Sequence, residues 1–104
     1  MVSVSEILSE LNNANEMSDE LTLDKERNEV LECDVYTLEG NRVTVTVNNF
    51  DDVEATLETE WKPNEDVDIT ESEILDVSDV SEIDVFQDPD GDVRMVIGEH
   101  DYGF

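Results

Sequence analysis

Asp88, Asp90 and Asp92 alternate through Asp88-Pro89-Asp90-Gly91-Asp92, and Glu99 stands twelfth counting from Asp88. A calcium loop of the EF-hand type takes oxygen ligands from positions one, three, five and twelve, so this spacing could hold a cation. Three features speak against it. The glycine that such a loop needs at position six is Val93, and Pro89 interrupts the loop, while Val93 to Ile97 alternates as a strand does. The stretch therefore reads as an acidic hairpin turn, with Asp88, Asp90 and Asp92 at most a weak, adventitious cation site. No cofactor is expected.

Nucleophilic chemistry has little to work with. His100 is the only histidine, which excludes a two-histidine metal site and leaves one general base of that type. Cys33 is the only cysteine and falls in an apolar alternating stretch, where a thiol is expected to be buried and inert rather than paired with His100. Thirty carboxylates guarantee that some lie close together, so a carboxylate pair has no diagnostic value. The four glycines are scattered and form no phosphate-cradling loop. The chain is not expected to be an enzyme.

Charge is the specific signal. Thirty acids against five Lys and Arg give a net charge of −25 over 104 residues, with a pI near 4.1. Direct binding to nucleic acid requires Lys/Arg stripes that are missing here, and an anionic membrane surface is excluded on the same electrostatic ground. Solubility of a small domain needs a net charge of only about 2–8. A value of −25 strains the compact state by self-repulsion, so something else must favour it. The acids are also lopsided: residues 50–104 carry −17 and residues 1–49 carry −8.

The elements that must position these acids follow from periodicity. Val4, Ile7, Leu8 and Leu11 recur at helical spacing, and Ser3 with Glu6 fits a capping box, so residues 3–12 read as a short amphipathic helix. Residues 12–28 are polar and read as a loop with room for one further helical turn. From residue 29 the period becomes two, with Leu31, Cys33 and Val35 on one strand face and Glu32 and Asp34 on the other. Glu39-Gly40-Asn41 then supplies turn residues that tolerate positive φ. The return strand places Val43, Val45 and Val47 inward, and Arg42, Thr44 and Thr46 outward. Residues 53–61 form the cleanest strand, with Val53, Ala55, Leu57, Thr59 and Trp61 inward, and Pro63 helps to end it. Residues 67–80 fit a helix capped by Thr70 and Glu73 or a strand equally well. A second hairpin runs from Ile83 and Val85 through the Asp88–Asp92 turn to Val93, Met95 and Ile97. The tail, with Tyr102 and Phe104, reads as an edge or a frayed end available for a partner contact.

The sum is an α+β fold: a short N-terminal helix packed on a twisted antiparallel sheet of four to six strands built from hairpins, as one domain over residues 1–104. A mean hydropathy of −0.46 leans towards disorder, but regular alternation of the apolar residues argues for a folded core. The chain start lacks a basic n-region and an apolar h-region. No apolar run approaches the ~20 residues that span a bilayer. A cytoplasmic protein is expected, and nothing in the sequence specifies an oligomeric state.

In size and charge alone the chain resembles the phage-type inhibitors that mimic DNA. That resemblance implies an acidic protein occupying the basic DNA- or RNA-binding groove of a restriction, CRISPR, repair or nuclease complex. Its phosphate surrogates would be Glu54, Glu58, Glu60, Glu65, Asp66, Asp68, Glu71 and Glu73. Its partner would be a basic nucleic-acid-binding protein or complex, not nucleic acid or membrane. Two other readings use the same surface: a small domain adapted to a high-salt cytoplasm, and an acidic binder of basic proteins such as histones.

Overall fold

The structure is a computed structural model that describes residues 2–50, 54–63, 66 and 68–104. One helix, α1 (Val4–Met17), precedes eight strands. Strands β1 (Thr22–Asn28), β2 (Cys33–Glu39), β3 (Val43–Asn49), β4 (Ala55–Trp61) and β5 (Glu71–Asp76) form an antiparallel sheet in chain order. After a 3-10 turn at Val77–Asp79, β6 (Ile83–Gln87), β7 (Val93–Ile97) and β8 (His100–Gly103) form a second antiparallel sheet. The architecture is α+β as expected, with the hairpin-built strands divided between a five-stranded and a three-stranded sheet.

One core joins these layers. Ile7, Leu11 and Ala14 of α1 meet Leu38, Val45, Val47 and Leu57 of the large sheet and Val85, Val93, Met95 and Ile97 of the small one. The valines of β3 alternate inward as their spacing required, and Ala55, Leu57 and Thr59 of β4 do the same. Val53 lies outside the described residues.

Several expectations are corrected. The helix starts where Ser3 caps it, its hydroxyl accepting from Glu6 N at 3.1 Å, but it continues to Met17 instead of stopping at residue 12. Ala14, completely buried, extends the apolar stripe past the asparagines. The supposed loop also contains β1, a polar edge strand whose half-buried Leu23 pairs with Leu38. Strand β2 begins at Cys33, so Leu31 sits in the β1–β2 connection at 54% exposure. Asn28 Oδ1 accepts from the Val30 and Leu31 amides there, and Glu32 takes a φ of 55°. The core-facing side of β2 carries Tyr36 and Leu38, one register step from the expected Cys33 and Val35. Cys33 is nevertheless fully buried.

The β2–β3 turn uses no positive φ. Gly40 is there for space: a Cβ on it would lie 2.8 Å from Leu21 Cδ2 and 2.9 Å from Phe104 Cδ1. Residues 71–76 are a strand, which resolves the helix-or-strand ambiguity. The second hairpin forms as expected, with Gly91 at φ 89°. The tail is an edge, one of the two expected alternatives, and it does not fray. It pairs with β7 as β8, Tyr102 is buried, and Phe104 packs against the core, so these two aromatics are core residues and not partner contacts.

Candidate partner-binding face

Register decides which acids share a surface. In the large sheet the partners Thr22, Glu39, Thr44, Glu60 and Ser72 form one row across all five strands. Asp24, Thr37, Thr46, Glu58 and Ile74 form the next, and Glu26, Val35, Asn48, Thr56 and Asp76 the third. These rows lie on the face opposite Val45, Val47 and Leu57, away from the core. Acids stand at its two margins, Asp24, Glu26 and Glu39 on one side, Glu58, Glu60 and Asp76 on the other. A central strip of Thr44, Thr46 and Asn48 on β3 separates them. Three inter-strand steps of ~4.8 Å put β1 and β4 about 14 Å apart, near the ~12 Å width of the B-DNA major groove.

Strand β1 shows how the sorting works. Asp24-Lys25-Glu26-Arg27 alternates in sign, so the pleat sends both acids to the outer face and both cations to the other. There Lys25 Nζ lies 5.5 Å above the Tyr36 ring, and Arg27 lies 3.4 Å from Asp34. The other cations are engaged too. Lys62 is 3.8 Å from Asp68, and Arg94 Nε donates to Asp101 Oδ1 at 3.0 Å. Arg42, expected to point outward, is half-buried at the strand end, where its Nη2 donates to the carbonyls of Lys62 and Pro63. Among the described residues, no Lys or Arg stands in the three rows of the outer face.

The anticipated phosphate surrogates are divided by this geometry. Glu58 and Glu60 lie on the outer face, and exposed Glu54 leads into the same strand. Glu71 and Glu73 pair with Trp61 and Thr59, so they belong to the opposite, core-side face at its open margin. Asp66 and Asp68 are exposed beyond β4, Asp68 facing Lys62. Glu65 lies outside the described residues. The acids that sequence reasoning missed are Asp24, Glu26, Glu39 and Asp76. The alternating signs of residues 24–27 were the available clue to the first two.

The remaining candidate chemistry has structural uses. Asp88 Oδ1 accepts from the Asp90 and Asp92 amides, both at 3.0 Å, so one carboxylate oxygen of the supposed cation loop is holding its own turn. Among the described residues, no group of three or more His, Cys, Asp and Glu side chains is arranged to hold a metal. Cys33 and His100 belong to different sheets. His100 Nε2 lies 3.5 Å from Glu73 Oε2, and its ring stacks on Tyr102 at 6.0 Å. Burial raises the Tyr102 phenol above its ordinary value of 10.0, against a hydrogen bond from Thr59 that lowers it, and Glu73 adds to the rise.

No family model, curated protein or solved structure matches this chain. No helix among the described residues is long and apolar enough to cross a membrane.

Proposed function

We propose that this protein is an acidic mimic of a nucleic-acid backbone, an inhibitor of anti-restriction or anti-CRISPR type. It docks the outer face of its five-stranded sheet into the basic DNA- or RNA-binding groove of a defence or nuclease complex. The carrying observation is the sorting of charge across the sheet: acids line both margins of the outer face, while Lys25 and Arg27 of β1 are turned to the other face. Two negative margins about a groove width apart, with hydroxyl and amide groups between them, resemble two phosphate strands more than a uniformly charged coat does. Such a surface speeds encounter with a basic groove and makes it strongly salt-dependent. The partner class places the protein in the cytoplasm and gives it no catalytic role.

The test is displacement of labelled duplex DNA from purified restriction or CRISPR effector complexes. Displacement weakening as KCl rises is the expected result. It should be lost when Asp24→Lys, Glu26→Lys, Glu58→Lys and Glu60→Lys are combined, with circular dichroism confirming the fold. Displacement unaffected by those four changes would overturn the assignment of the face. Salt adaptation is the second reading, favoured by acids that also cover α1, at Glu6, Glu10 and Glu16.

A further inference from the structure

The free edge of β5 differs from its counterpart at the other side of the sheet. No described strand lies beyond either β1 or β5, so each presents unpaired backbone groups. Strand β1 is guarded by charges of both signs, the usual protection of an edge against strand addition. Strand β5 is guarded by carboxylates alone. It contains no Pro or Lys, pairs without interruption from Glu71 to Asp76, and leaves Ile74 at 65% exposure. Its charges, Glu71, Glu73 and Asp76, are all negative. Beside it lies a groove of about 280 Å³ between β5 and the β7–β8 turn. Leu75 lines this groove with apolar surface over the almost fully buried Val80 and Ile97, and Glu73, Asp79 and Glu99 line it with carboxylates, Glu73 lying 3.5 Å from His100 Nε2.

We infer that the β5 edge is a strand-addition site for an extended segment of another protein in which Lys or Arg alternates with Val or Ile. An added strand takes its affinity from main-chain hydrogen bonds and its specificity from pockets for alternate side chains. The pleat supplies both pockets. Residues on the core side enter the groove, where a long basic side chain lays its stem on the half-buried Leu75 and reaches the carboxylates with its head. Residues on the outer side meet the uncovered Ile74. A second copy of this chain is the wrong occupant, because like charges facing each other across the new ladder are destabilising. This site borders the outer face at Ile74 and Asp76, but it is centred on the strand edge, uses a different mode of recognition, and does not depend on that reading.

The probe is a synthetic hexapeptide alternating lysine and valine, titrated into the isotope-labelled protein. Saturable amide shifts centred on Ser72, Glu73, Ile74 and Leu75, with slowed hydrogen exchange along β5, are expected. Methylating alternate backbone nitrogens of the peptide should weaken binding about tenfold or more, since it removes ladder hydrogen bonds and keeps the charge. Ile74→Lys should weaken it too, with the rest of the spectrum unchanged. The absence of saturable binding, equal binding of the methylated peptide, or shifts centred on the outer-face acids would each overturn the site. Asp24→Lys with Glu26→Lys should leave peptide binding intact, so the two surfaces fail or stand separately.

Discussion

Tyr102 is where the two sheets are tied together side chain to side chain. Its hydroxyl accepts from Thr59 Oγ1 at 3.3 Å, its ring meets Trp61 edge-on at 5.3 Å, and His100 stacks on it. A buried phenol raised above 10.0 favours the folded state while it stays protonated. Its contribution is therefore complete below pH 10 and is lost as pH rises through the folded-state value, because the unfolded chain releases the proton first. Denaturant titrations above pH 10 should show stability falling with pH, and Tyr102→Phe should make that fall shallower. At the other end of the molecule, Ser3→Ala removes the acceptor for Glu6 N, and a urea titration should report a loss of about 1 kcal/mol. The cap was legible because a hydroxyl three residues before a glutamate is a local pattern. The role of Tyr102 was not, since nothing local says that a residue near the chain end packs on a tryptophan 41 positions earlier.

At the scale of elements, what the sequence revealed depended on how much apolar surface each element buries. Strands β3 and β4 alternate visibly because they are central and one face of each fills the core. Strand β1 was hidden because an edge strand buries almost nothing, and its residues read as a polar loop. The last turns of α1 were hidden by three poor helix formers, Asn12, Asn13 and Asn15, although Ala14 continues the stripe. Asn15 compensates by donating from Nδ2 to the Leu21 carbonyl at 2.9 Å, which fixes the link into β1. The division of the surrogate acids between two faces was hidden for a different reason. Which of Glu71, Ser72 and Glu73 lies beside Glu58 depends on the β4–β5 register, and a shift of one residue exchanges the faces. Packing energetics should follow burial here. Leu11→Ala, at a completely buried position, should cost roughly 3 kcal/mol. Val30→Ala, at 91% exposure, should stay within about 0.5 kcal/mol in the same urea assay.

For the whole molecule the question is how a chain of net charge −25 stays folded with a Cα radius of gyration of 13.3 Å. Its core is continuous through both sheets and the helix, and the repulsion it must overcome is screened within ~8 Å at ~0.15 M salt. Thermal melts in KCl should therefore show a midpoint that climbs steeply from ~0.01 M, where the Debye length is ~30 Å, and flattens near ~0.15 M. A chain that folds only in molar KCl would instead favour salt adaptation and remove the main support for mimicry. The excess of acid was plain in the composition, whereas its division into two margins of one sheet required strand pairing to see. The burial of Cys33 has a practical consequence for following such transitions. As the only thiol, and one fully buried at the start of β2, it reacts with an added maleimide only when that region opens. The rate of labelling thus becomes a clock for local opening, read by mass without any change to the sequence.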